Sequence, residues 1–276
     1  MMRPILLLTL ASSLLAAPAP LALVRPIISD SEGGAAFPKG TDYVPGETLF
    51  FSCRISGFRQ TEDEKIHLTY SVEVFDPAGV ALVEAYKNDI MDEVTPQDKE
   101  WLPKIQTEIP IPTLIASGTY SIVVKAEDLV GKATTQLTVP FQVRARHVDP
   151  SDTLIARNFG FLRSEDDEHP LQKAAYRPGD TVWARFDIIG FRYGPKNQID
   201  VGYVVSILDG SGTVLWTQPD ATTEQSESFY PKRYISAALS INTQKDTKPG
   251  TYAIGVQVKD GVGNQTYETK ETFTVE

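Results

Sequence analysis

Apolar residues along this chain alternate with polar ones at every second position and do not recur at helical spacing. Over residues 181–188, Val182, Ala184, Phe186 and Ile188 fall on one face, as a half-buried strand requires. Residues 67–74 do the same with Leu68, Tyr70, Val72 and Val74, and so do residues 251–258. Turn chemistry separates these runs. Pro45-Gly46 and Pro178-Gly179 suit type II turns, where proline presets φ and glycine supplies φ > 0. Asp76 through Gly79, Asp209 through Gly212 and Asp260 through Asn264 read as hairpin connections. No window carries a helical stripe. Many short strands at close spacing predict an all-β chain built as a β-sandwich.

The pattern occurs twice. A shift of 133 positions lays Tyr43 on Tyr176, Pro45-Gly46 on Pro178-Gly179, Gly57-Phe58-Arg59 on Gly190-Phe191-Arg192, Asp76 on Asp209 and Leu82 on Leu215, without a gap. Further on the shift becomes 132, and Gly118-Thr119-Tyr120 meets Gly250-Thr251-Tyr252, Asp128 meets Asp260 and Gly131 meets Gly263. Self-similarity of this density predicts two tandem copies of one domain, over residues 24–146 and 152–276. The Gly-Thr-Tyr before a late strand of each copy predicts a tyrosine corner, with the hydroxyl bonded back to the chain.

Ahead of the first copy lies a different pattern. Arg3 is followed by an apolar core from Ile5 to Leu10 and then by small residues, the layout of a secretory signal peptide. Residues 1–22 are assigned to it, with cleavage expected near Ala22, since Pro18 and Pro20 hinder cutting after Ala17 and Ala19. Export to the periplasm or beyond follows, and no later stretch is apolar enough to span a membrane. The single cysteine, Cys53, excludes an intrachain disulfide and sits in a strand-like run, where it is expected to be buried.

The 276 residues carry 41% hydrophobic and 22% charged side chains, ordinary for a globular chain. The net charge of −10 argues against a nucleic-acid partner, because phosphate binding needs a basic face. The three histidines, His67, His147 and His169, stand far apart in sequence, and no metal, phosphate-loop or nucleophile motif appears. No cofactor and no catalysis are expected. The acidic run 164–169 is read as a solvated loop in preference to a Ca²⁺ site.

Tyr176-Arg177-Pro178-Gly179-Asp180-Thr181-Val182 and Pro249-Gly250-Thr251-Tyr252, with their counterparts in the first copy, resemble macroglobulin-type domains, which are immunoglobulin-like sandwiches. The resemblance implies a fold and an interaction role. The Cys-Gly-Glu-Gln thioester of the macroglobulins is absent, since Arg54 follows Cys53, so protease trapping does not carry over.

These readings point to a non-catalytic exported scaffold that binds another protein. Loops at sandwich ends carry recognition, and two of them combine aromatics with Pro and Lys. Trp101, Leu102 and Lys104 in the first copy, and Phe229, Tyr230 and Lys232 in the second, are the expected contact residues. The alternative is a carbohydrate-binding module stacking sugars on Trp101, Trp183, Trp216, Phe229 and Tyr230, against which stands the expectation that Trp183 and Trp216 are buried in strands. The repeated Gly-Phe-Arg is read as a structural joint more than a contact patch.

Overall fold

A computed structural model describes residues 19–38, 40–98, 100–167 and 169–276. Most of the expected signal segment, residues 1–18, lies outside the described residues. The described residues are all-β apart from two single-turn 3-10 segments at Pro96–Asp98 and Pro195–Asn197.

The first half holds β1 (Ala22–Ser29), β2 (Asp42–Tyr43), β3 (Thr48–Ser56), β4 (Lys65–Phe75), β5 (Tyr86–Glu93), β6 (Lys104–Pro110), β7 (Gly118–Asp128) and β8 (Ala133–Val143). One sheet runs β1-β3-β6 and the other β2-β8-β7-β4-β5. The second half holds β9 (Ile155–Leu162), β10 (Ala175–Tyr176), β11 (Thr181–Ile189), β12 (Ile199–Asp209), β13 (Val214–Thr217), β14 (Thr222–Ser226), β15 (Ile235–Asn242), β16 (Gly250–Asp260) and β17 (Gln265–Val275). Its sheets run β9-β11-β15 and β10-β17-β16-β12-β13, with β14 also paired to β12. Read strand by strand, the two halves share one order. Each is an immunoglobulin-like sandwich with its own core.

The alternation sets which side chains fill those cores. In β3, Leu49, Phe51, Cys53 and Ile55 point inward, and in β11 so do Val182, Ala184, Phe186 and Ile188. Burial pushes the Cys53 thiol up to about 12, so it stays a neutral, inert filler. The tyrosine corner forms twice: the Tyr120 hydroxyl donates to the Ala116 carbonyl and that of Tyr252 to the Lys248 carbonyl, both at 2.8 Å.

The expected start of the first copy falls within β1. Leu21 and Leu23 belong to the first core, and Ala22 already pairs with Ser56. A domain beginning at residue 24, or a cut after Ala22, would sever β1 and expose part of that core.

Candidate functional site

The six expected contact residues sit in two separate loops. In the first, the backbone N–H of Trp101 donates to the Asp98 carbonyl at 2.9 Å. The Leu102 carbonyl accepts from Arg54 Nη1 at 2.9 Å, and Lys104 is exposed at the start of β6. In the second, Phe229 is exposed, while its carbonyl accepts from Asn197 Nδ2 at 2.6 Å. Lys232 Nζ pairs with the Glu224 carboxylate, which it holds below the ordinary range, and donates to Ser226 Oγ at 2.9 Å. The loops lie at opposite ends of β6, because the backbone N–H of Arg233 reaches the carbonyl of Leu114, beyond the strand's far end.

Tyr230 departs most from expectation. It is only 6% exposed and packs into the core of the first sandwich. Its hydroxyl donates to Asp76 Oδ2 at 2.8 Å, and Arg233 Nη2 reaches the same oxygen at 2.6 Å. The other carboxylate oxygen of Asp76 accepts the N–H groups of Ala78 and Val80, closing the β4 turn. Burial alone would raise the Asp76 carboxyl. The Val80 N–H, the Tyr230 hydroxyl and the Arg233 guanidinium together hold it below the ordinary carboxylate range. Arg233 also lies over the Tyr230 ring, 5.2 Å from its centroid. Tyr230 is therefore spent inside the molecule, where it joins the two sandwiches, and offers no surface to a partner. Sequence reading missed this because burial against a neighbouring domain leaves no periodic signal in a loop.

The corresponding end of the second sandwich is open. Leu82 is 1% exposed and closes the first core, its N–H bonded to the Val74 carbonyl. Leu215, at the matching sequence position, is 55% exposed. The cause is a register shift. Phe75 bridges Ala81 directly, but in the second sandwich Leu208 pairs with Val214 and Ile207 with Trp216, leaving Leu215 as the extra residue. A bulge of one residue re-aims the side chains that follow it. Trp216 is consequently 49% exposed, against the expectation that its strand would bury it. Ile111 and Ile115 are buried in the first sandwich, while Thr243 and Thr247 occupy the same places in the second and line the cleft. The result is a cleft of about 460 Å³ between the two sheets, bounded by Leu215, Trp216, Ile241 and Tyr252. A half-enclosed apolar cleft with a few polar groups at its rim is a binding geometry.

The remaining sequence motifs resolve structurally. A Cβ at Gly57 would come within 2.1 Å of the Pro20 carbonyl oxygen, and one at Gly190 within 1.9 Å of that of Thr153; both residues have positive φ. Phe191 is buried and Phe58 packs partly against the first core. His147 pairs with Asp149 at 2.8 Å and His67 with Asp89 at 3.5 Å. In the acidic run, Asp167 Oδ1 accepts the His169 N–H at 3.1 Å. Among the described residues no group of three or more His, Cys, Asp or Glu side chains is arranged to hold a metal, and no helix is long and apolar enough to cross a membrane.

No protein-family model matches the chain, and no curated protein matches it either. Among solved structures, the C-terminal domain of the antigen I/II-family protein AspA of Streptococcus pyogenes is similar at 10% identity and a TM-score of 0.32, over 92% of this chain and 99% of that one. The C-terminal domain of the antigen I/II polypeptide BspA of Streptococcus agalactiae is similar at 12% identity and a TM-score of 0.31, over 91% and 100%. A family 123 glycoside hydrolase of Clostridium perfringens is similar at 16% identity and a TM-score of 0.30, over 45% of this chain and only 27% of the hydrolase. Overlaps this loose carry no argument about function.

Proposed function

We propose that the protein is an exported, non-catalytic interaction or scaffold protein, and that it binds a protein partner through the open end of its second sandwich. One observation carries this reading. The position that Leu82 seals in the first sandwich is occupied in the second by an exposed Leu215 beside an exposed Trp216 over a cleft. Exposing large apolar side chains to water on an edge strand is unfavourable and invites pairing, so a covered state is expected for them. The macroglobulin-like character and the export belong to the same reading, supported by the paired Pro-Gly turns, the two tyrosine corners and the N-terminal charge pattern. So does the division into two domains, with the first reaching back to Leu21. Affinity capture from an envelope fraction tests the proposal. The unchanged protein should retain a partner that Leu215→Asp loses, and identical capture by both would overturn it.

A carbohydrate ligand is the second reading. It is favoured by the exposure of Trp216 beside Ser240, Asn242 and Gln244, an aromatic face with hydroxyl and amide groups around it. A glycan array decides: sugar binding abolished by Trp216→Ala supports it, and a blank array removes it.

A further inference from the structure

The larger sheet of the first sandwich ends on an open strand. β5 pairs with β4 from Lys65–Glu93 to Val72–Tyr86, and among the described residues no strand lies on its other side. All of β5 is exposed except the half-buried Ile90. In the second sandwich the same edge of β12 carries two short strands, β13 and β14, of four and five residues. The first sandwich therefore presents one unbroken free edge of eight residues, a template for another strand.

The backbone shows which groups that edge offers. The Val94 N–H donates to the Glu64 carbonyl at 2.8 Å, one step beyond the Lys65–Glu93 pair. Alternate residues of an antiparallel strand bond to the same neighbour, so Ile90 and the other even-numbered residues of β5 bond to β4. Lys87, Asp89, Met91 and Glu93 turn their N–H and C=O groups to the free side. Two of these donors turn to the side chain just before them: the Asp89 N–H donates to Asn88 Oδ1 and the Glu93 N–H to Asp92 Oδ1, both at 2.9 Å. Backbone carbonyls of an added strand can replace both acceptors.

Charges on an edge strand ordinarily oppose pairing. Their order along β5 makes them complementary in one register. When two copies of β5 meet antiparallel about a two-fold axis, residues of one face meet residues of the same face, so one residue meets its own copy at the centre. Centred on Ile90, Lys87 faces the second copy's Glu93, Glu93 faces its Lys87, and Asp89 faces its Met91. These are the residues whose backbone groups are free. At the centre Ile90, which packs partly against the first core, meets a second Ile90 on the same face. Centred on Asp89, that aspartate meets itself, and centred on Met91, Asp89 meets Glu93. Like charges directly opposite are destabilising, and centres nearer either end leave much of the strand unpaired. We infer that the protein forms a closed dimer in which β5 of one copy pairs antiparallel with β5 of the other, centred on Ile90, joining two five-stranded sheets into one. The surface is separate from the Leu215–Trp216 cleft. The same strand serves on both copies, so the contact closes at two.

Sedimentation velocity of the purified protein over a concentration series tests this. The unchanged protein should pass from monomer to dimer and form nothing longer. Lys87→Glu and Glu93→Lys each set like charges opposite one another at both ends of the pairing, and each should weaken the dimer at least about tenfold. Mixed in equal amounts, they should form a heterodimer, because each facing 87–93 pair is then a glutamate against a lysine. Met91→Pro removes a donor from the free edge and no bond to β4, and should abolish the dimer. Thermal melting confirms that the variants fold, and the two charge variants decide if Met91→Pro does not. A monomer at every concentration up to about 1 mM, unweakened association of either charge variant, a mixture that associates no more tightly than its parts, or chains longer than a dimer would each overturn the inference. A protein that stays monomeric yet captures another partner through Leu215 overturns this inference and leaves the proposed function standing. A dimer that captures no partner supports this inference and counts against that function.

Discussion

At the scale of single residues, the buried aspartates explain why Gly-Phe-Arg and a distant Asp-x-x-Gly recur together. Asp128 and Asp260 are fully buried. Asp128 accepts the Arg59 N–H at 2.7 Å and the N–H groups of Val130 and Gly131 at 3.0 and 2.9 Å. Asp260 takes Arg192 at 2.9 Å and Val262 and Gly263 at 3.0 Å, with Gln265 added. Each carboxylate thus closes its own hairpin and ties it to the Gly-Phe-Arg bend. The glycine of the hairpin is required for the same reason, since a Cβ at Gly131 would come within 2.6 Å of the Arg59 side chain and 2.5 Å of Asp128. Asp128→Ala and Asp260→Ala each leave three backbone donors without a partner. Each should cost about 3 kcal/mol or more in urea unfolding, and Asn at the same place clearly less, because its carbonyl oxygen still accepts.

At the scale of elements, strands behave as their alternation dictates until an edge is reached. β1 is the case at the N-terminal side. Its entry is held by Leu21 in the core, by the Ala22–Ser56 pair and by the close approach of Pro20 to Gly57. A chain starting at Ala19 should therefore be more stable than one starting at Leu23 by about 2 kcal/mol, the worth of one buried leucine. A lower thermal midpoint for the shorter chain is the measurement, and equal midpoints would show that Leu21 contributes nothing. β13 is the other case. There the bulge at Leu215 turns an inward leucine outward, although the sequence register through that position has no gap. Edge strands tolerate such shifts because only one side of the ladder must remain paired.

At the scale of the whole molecule, one buried carboxylate joins the sandwiches and a second fastens the connecting segment to the second of them. Asp76 of the first accepts from Tyr230 and Arg233 of the second, and Asp187 of the second accepts from Arg146 in the connecting segment at 2.9 Å and from Asn158 at 2.8 Å. These contacts should make the two sandwiches unfold together. Arg233→Ala leaves a buried carboxylate without its cation, and should split one thermal transition into two in calorimetry. Acid should do the same. The folded Asp76 carboxyl lies below its unfolded value, so its contribution is fully present above the ordinary aspartate range, near pH 4. It is lost as pH falls through the lower folded value. Coupling that does not weaken at any pH below the ordinary aspartate range at which the protein stays folded would show that Asp76 does not carry it.

Period-two alternation, Pro-Gly turns and the 133-residue register were enough to read the strands, the sandwich fold and the tyrosine corners from the chain alone. The reason is that each depends on neighbours in sequence: a strand's faces follow from its pleat, and a turn from the φ its residues allow. The joint built on Asp128 and Asp260 was visible only as matched letters, because its partners lie about 69 residues apart in the chain. Three features were decided by tertiary structure. Tyr230 carries the same loop chemistry as Trp101, yet one is buried in a neighbouring sandwich and the other meets water. Leu82 and Leu215 are the same residue in the same register, yet a bulge separates their fates. Asp76 and Asp209 cap the same turn, yet Asp76 also accepts a hydroxyl and a guanidinium from the other sandwich. Residue types that the sequence makes look alike thus end in different surroundings, set by strand pairing in one case and by contact between the sandwiches in the others.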